Sequence, residues 1–290
     1  MRKHKLTLGE GKTPLLSSYT AKMYLSGKTE LFYKIESMNP VGGFIDRGMV
    51  SFMESAMSEY IEGFTICSDL ESMKSAMAYG ARCGRPVNVF FSEEITDKSY
   101  IELVSKYDGK LNQVNTKRDE IAEELSKISK SYPYKNAGDF QKEEFKKGLS
   151  TLAQELQKDD IKRVFIGMYY DETPKIKALK EVVEEYEIEI IPAMLKSNIK
   201  ESDFGIDNIF SVEIYEAGES MNILRQEGIS IGIRDGAALA AVREFDRVTE
   251  SEELIKTAII ITGSRDASES IARGVNKIKI ENLKNSIGLI

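Results

Sequence analysis

The chemistry open to this chain is narrowed first by what it lacks. Among 290 residues there is one histidine, His4, and there are two cysteines, Cys67 and Cys83. A lone histidine near a chain end cannot serve Ser-His-Asp or Cys-His catalysis. Two thiols cannot complete a four-ligand zinc site, and no metal site is expected. Lysines, carboxylates, tyrosines, serines or a bound cofactor remain. Ser68-Asp69-Leu70-Glu71 has the spacing of a capping box, in which Ser68 caps a helix start and Glu71 reaches back to it. Tyr169-Tyr170-Asp171-Glu172 follows Gly167-Met168 at the end of a predicted strand, where open α/β sheets receive ligands. That run reads as a small-molecule or cation site, or as aromatic bulk that closes the edge. Asp69, Glu71, Asp171 and Asp235 suit acid/base work or cation binding if the fold gathers them.

The elements that must position these residues follow from hydrophobic periodicity. Strands are predicted at 31–35, 64–67, 87–91, 111–114, 163–166, 188–191, 209–212 and 257–261. Helices are predicted near 46–60, 70–83, 97–107, 117–130, 140–157, 174–186, 216–227, 235–246 and 267–276. Strands separated by whole helices cannot close as tight hairpins, so parallel sheets with helical crossovers are expected and the fold class is α/β. Met49, Met53 and Met57 recur at i, i+4 and i+8, a spacing that gives a buried helix stripe or an exposed partner-binding face. Cys67 and Cys83 read as buried, unreactive thiols. The charged stretch 117–135, ending in Ser131-Tyr-Pro-Tyr-Lys135, reads as a return from one domain to another.

Composition sets the outer limits. The chain is 41% hydrophobic and 30% charged, a globular balance. Its net charge of −7 is the wrong sign for a sequence-independent nucleic-acid binder. Apolar runs fall well short of the ~20 residues of a membrane helix. The basic start has no apolar segment behind it, so no secretory signal is expected and a cytoplasmic location is.

Several blocks, in order over residues 8 to about 265, carry a resemblance. Leu8-Gly-Glu-Gly-Lys-Thr-Pro-Leu15 looks like the opening signature of threonine synthases. Leu31-Phe-Tyr-Lys-Ile-Glu36 follows, then Asn39-Pro-Val-Gly-Gly-Phe-Ile-Asp-Arg-Gly48, whose family form is Asn-Pro-Thr-Gly-Ser-Phe-Lys-Asp-Arg-Gly. Met77–Gly84 resembles the family's Ala-Tyr-Ala-Ala-Arg-Ala-Gly. The stretch 226–240 is similar to a segment of cysteine synthases, and Ile259-Ile-Ile-Thr-Gly263 to the last core strand. The chain is thus identified as a member of the fold-type-II pyridoxal-phosphate (PLP) enzymes, with the two-domain tryptophan synthase β-like architecture. The resemblance implies a smaller domain at 41–128 inserted into a larger one made of 1–40 and 129–290.

At the positions where that family holds its cofactor, this sequence departs from it. Ile45 replaces the Schiff-base lysine, and a side chain without nitrogen forms no aldimine. The turn whose asparagine bonds the cofactor ring corresponds to Ser68–Glu71. The glycine-rich phosphate loop corresponds to 167–173, where Tyr169 and Tyr170 add bulk and Asp171 and Glu172 add negative charge. Arg234-Asp235 replaces a pair of serines, and Thr262 alone keeps a family hydroxyl. Lys34 is a salt-bridge residue on the family pattern, and Asp46-Arg47 stabilises a helix start. The expectation is a pseudoenzyme with PLP lost and no catalytic residue, binding a protein partner or a small amino-acid-like or cationic metabolite. A homodimer, or a heteromer with an active paralogue, is expected. The alternatives are an enzyme that uses the carboxylates without a Schiff base, or a PLP enzyme whose lysine has moved, for instance to Lys74.

Overall fold

The computed structural model describes residues 6–41, 43–93, 107, 109–196, 205–250, 253–263, 276–278 and 280–288. By contacts it separates into two compact units, one of residues 1–8, 45–148 and 266–290, the other of 9–44 and 149–265. The compact unit that begins near the expected insertion therefore runs on to 148 and takes in the last segment of the chain.

In the first unit, β3 (Gly63–Ile66), β4 (Val87–Ser92), β5 (Lys110–Val114), β6 (Tyr134–Asn136) and β11 (Asn276–Ile278) form one sheet in the order β11-β5-β4-β3-β6. Every pairing in it is parallel. The expected domain return at 131–135 is corrected by β6. Tyr134, Lys135 and Asn136 pair with Gly63, Phe64 and Thr65, so this segment completes the same sheet. Proline and lysine beside the tyrosines hid a three-residue edge strand, which is where proline is tolerated. Helix α1 (Ile45–Ala56) buries Met49 and Met53, whereas Met57 lies beyond its end and is half-buried. Helix α2 (Leu70–Cys83) ends on Gly84, whose φ of 67° is the left-handed conformation a helix C-terminus calls for. Helix α3 (Arg118–Ser131) packs Ile121, Leu125 and Ile128 with Cys67, Phe90 and Val114 of the sheet. Helix α4 (Glu143–Lys158) meets α1 backbone to backbone. A Cβ on Gly148 would stand 2.0 Å from the Arg47 carbonyl oxygen, and one on Gly48 would stand 2.5 Å from the Phe145 ring.

The second unit holds β1 (Leu15–Ser17), β2 (Thr29–Lys34), β7 (Arg163–Met168), β8 (Glu189–Leu195), β9 (Phe210–Val212) and β10 (Ile255–Ile260), in the order β1-β2-β10-β7-β8-β9. Only β1–β2 is antiparallel. Strand β8 passes through Pro192 and is longer than the 188–191 run predicted. Its neighbour β9 pairs only from Ala193 onward, so the proline sits where one side of the strand has no ladder to break. Helices α5 (Thr173–Glu184), α6 (Ile214–Arg225) and α7 (Ile233–Val248) cover the sheet. The alanine-rich body of α7, Ala237 to Val242, joins Phe165, Ile191, Ala193 and Ile259 in the core. A short α8 (Leu283–Ser286) completes the helices described.

The eight predicted strands all form. The predicted helix at 97–107 lies outside the described residues except Tyr107, and that at 267–276 except Asn276, which opens β11. Among the described residues no helix is long and apolar enough to cross a membrane.

Candidate functional site

In the first unit the residue that the resemblance aligns with the family's attachment lysine opens α1. Ile45 is its first residue and is 1% exposed. Asp46 and Arg47 behind it are buried as well, and the Ser75 hydroxyl donates to Asp46 Oδ1 at 2.7 Å. This ties α1 to α2 and fits the structural role expected of the Asp-Arg pair.

The start of α2 corrects one assignment. Asp69, not Ser68, is the cap. Its Oδ1 accepts from the backbone N–H of Glu71 at 3.1 Å and of Ser72 at 3.2 Å, and its Oδ2 accepts from the Ser72 hydroxyl at 2.6 Å. Ser68 Oγ is 3.3 Å from Asp69 Oδ2. Aspartate outcompetes the serine before it because its charge also complements the positive helix end. The N–H groups that make a helix start receptive to anions are thereby occupied by the chain's own carboxylate. Lys74, in the second turn, is half-buried.

In the second unit Gly167 is held against α7. A Cβ there would stand 1.8 Å from the Arg234 carbonyl oxygen. After β7 the chain turns through a short 3-10 helix, Tyr170–Glu172, straight into α5. Glu172 turns inward and its Oε2 accepts from the Tyr169 N–H at 2.8 Å. Its Oε1 bonds Arg234 Nη1 and lies 2.9 Å from Lys175 Nζ. Lys175 Nζ also sits 5.8 Å from the Phe44 ring centre, and the Arg234 guanidinium 5.6 Å from that of Tyr169. The negative charge that Glu172 was expected to add to the phosphate loop is buried between two cations. Tyr170 is exposed and Asp171 is half-buried.

Asp235, also fully buried, closes the start of α7. Its Oδ2 accepts from the Gly232 N–H at 2.8 Å, and its Oδ1 from the Thr262 N–H at 3.0 Å and hydroxyl at 3.1 Å. Burial raises its carboxyl to about 6, against the pull of Arg234 and of these donors toward ionisation. The hydroxyl that survives from the family pattern is thus engaged by a neighbouring side chain. Lys34 keeps its expected place: Nζ lies 2.6 Å from Glu155 Oε2 and donates to the Thr13 carbonyl at 2.7 Å. Beside it, Glu36 is fully buried and accepts from Thr13 Oγ1 at 2.5 Å and Asn39 Nδ2 at 2.8 Å, which pins the opening signature.

Asp69 and Asp235 each close the start of a helix, and Glu172 joins an ion cluster with Lys175 and Arg234. Sequence reasoning missed Lys175 and the long-range partnership of Arg234 with Glu172. The i, i+3 spacing of Glu172 and Lys175 on a helix start was a signal for the first. Arg234 is 62 residues from Glu172, and no local pattern marks such a pair.

Residues 6–169, more than half of the chain, match the family of pyridoxal-phosphate dependent enzymes. The chain belongs to that family, and its architecture is that of the fold-type-II members. Threonine synthase of Halalkalibacterium halodurans is 30% identical over 128 residues, which cover 44% of this chain and 36% of that protein. Threonine synthase of Methanocaldococcus jannaschii is 30% identical over 125 residues, 43% and 31%. The matched segment thus spans about a third of these relatives' own length. Among solved structures, a hydrogen sulfide-producing enzyme of Fusobacterium nucleatum superposes with a TM-score of 0.70 at 19% identity, covering 89% of this chain and 97% of that one. A pyridoxal 5'-phosphate-dependent aspartate racemase gives 0.68 at 15% identity, with 88% and 90% covered. At these identities the superpositions speak for the fold alone.

Family membership corrects the expectation that PLP is lost: the family is PLP-dependent, and this chain belongs to it. On the resemblance drawn from the sequence, the attachment position is Ile45, which is buried and has no amine to fit the family's covalent linkage. The Tyr169 N–H and the Thr262 hydroxyl donate to Glu172 and Asp235.

Proposed function

We propose that this chain is a threonine synthase-like protein that forms no aldimine at position 45 and acts by binding. Its ligand is a small amino-acid-like or cationic metabolite, or a protein partner, and its role is regulatory. The observation that carries this reading is Ile45, buried at the first position of α1 where the family's chemistry requires an amine. A secondary aldimine needs a primary amine that deprotonates in a desolvated site, and no substitution elsewhere supplies one at that place. Carboxylates drawn into caps support the same reading, since a group that accepts two or three fixed hydrogen bonds is poorly placed to shuttle protons. On this reading any PLP that enters is held without a covalent bond at position 45. A homodimer, or a heteromer with an active relative, is the assembly proposed.

Two measurements test it. Titration of the purified protein with PLP, followed in the visible, should give no aldimine band. A saturable band at one equivalent would overturn the reading in favour of a relocated lysine. Light scattering of the chain alone and mixed with an active threonine synthase should show a mass above that of one chain. A monomer under both conditions would overturn the assembly.

A further inference from the structure

The connection from α2 to β4 carries a charged group that neither the family match nor the proposed function uses. After Gly84, Arg85 donates its backbone N–H to the Gly80 carbonyl at 3.0 Å, and Pro86 leads into β4 at Val87. The Arg85 side chain forms no ion pair among the described residues. Its Nε is enclosed and meets no hydrogen-bond acceptor. It lines a cavity of about 270 Å³ whose other walls include Met77, Pro86, Val87 and Tyr107. Gly109 also lines it and packs closely on Met77, since a Cβ there would stand 2.4 Å from Met77 Cε. The cavity lies at the N-terminal edge of β4, whereas Ser68–Glu71 follows the C-terminal end of β3, so the two belong to opposite edges of one parallel sheet.

We propose that this cavity is a binding site for a small oxyanion, a short-chain carboxylate or a phosphate, held by the Arg85 guanidinium. An enclosed N–H with no acceptor is costly, and a guanidinium offers Nε and one Nη as a fork that matches two oxygens of one anion. The volume lies just under the range of drug-sized pockets, so it admits only a few heavy atoms. Met77, Pro86 and Val87 form an apolar wall for a short alkyl tail. The Tyr107 phenol is pushed up by burial and then by the charge of Asp46, so it stays protonated at neutral pH and is available as a donor. This site does not depend on the state of position 45.

The test uses the full-length protein and three salts at one ionic strength: sodium propionate, sodium phosphate and sodium chloride. Thermal unfolding of the wild type should show a saturable rise with propionate or phosphate over chloride. A response to propionate alone assigns a carboxylate site, and a response to phosphate alone a phosphate site. Arg85→Met should keep the melting temperature in chloride and lose the anion response. Arg85→Lys should bind at least tenfold more weakly, because it keeps the charge without the fork. No saturable rise in the wild type overturns the proposal. So does an Arg85→Met protein that keeps the rise while melting lower in chloride, which would assign the charge to the α2 C-terminus alone. Should Arg85→Met not fold, the arginine Nε–H resonance of the wild type decides, since it must shift with the active anion and stay fixed with chloride.

Discussion

At the scale of single residues, buried carboxylates and thiols make the sharpest predictions. Asp235 has a carboxyl raised to about 6 by burial, above its unfolded value, so the native state holds its proton more tightly than the unfolded state does. Its contribution to stability is greatest below the unfolded value and falls as pH rises through 6. Asp235→Asn should remove that decline, so its stability relative to wild type should improve from pH 4 to pH 7 by up to ~3 kcal/mol. Denaturant unfolding of both proteins at several pH values reads this difference. Glu227 and Asp246 work in the opposite direction. Backbone N–H donors at residues 19–21 and at 26 and 28 hold their carboxyls below the ordinary range, so their contribution is lost as pH falls. Only the difference between Asp235→Asn and wild type isolates the one group. Glu172→Ala would leave Lys175 and Arg234 buried with their shared carboxylate gone, at a cost of about 3–5 kcal/mol in the same assay. The two thiols should also separate. Cys67, raised to about 12 by burial, should resist alkylation in the native protein, while the half-buried Cys83 reacts first.

Among the elements, the strands and most helices were legible because apolar periodicity and helix-length spacers leave few choices of pairing. Three short strands were not. β1, β6 and β11 have three residues each, too few to show an alternation, and their pairing is decided by partners distant in sequence. The α2 start was legible in kind but off by one residue. A serine and an aspartate side by side both suit a cap, and only the backbone turn decides between them. Asp69→Ala should therefore cost about 1 kcal/mol, with Ser68→Ala costing less, by denaturant unfolding. The close approach of β7 to α7 was not legible at all. Gly167→Ala would drive a Cβ into the Arg234 carbonyl and should leave little soluble protein.

At the scale of the molecule, the fold is that of the PLP enzymes, and its buried polar groups are engaged with one another. Residues 6–169 match the family, and two sheets of six and five strands carry the fold. Ile45 is buried, and the Ser72 N–H, the Tyr169 N–H and the Thr262 hydroxyl donate to Asp69, Glu172 and Asp235. Resemblance pointed to Ile45, because one residue in a strong motif is readable. It could not expose the bonds that join distant residues, such as Thr262 with Asp235, 27 positions apart, or Arg234 with Glu172, 62 apart. The central claim is that no covalent linkage to PLP forms in this chain. The protein, incubated with excess PLP, is reduced with borohydride, digested and mapped by mass spectrometry. Scattered, substoichiometric labelling of surface lysines is the predicted result. One stoichiometric adduct at a single lysine, Lys74 or any other, would contradict it.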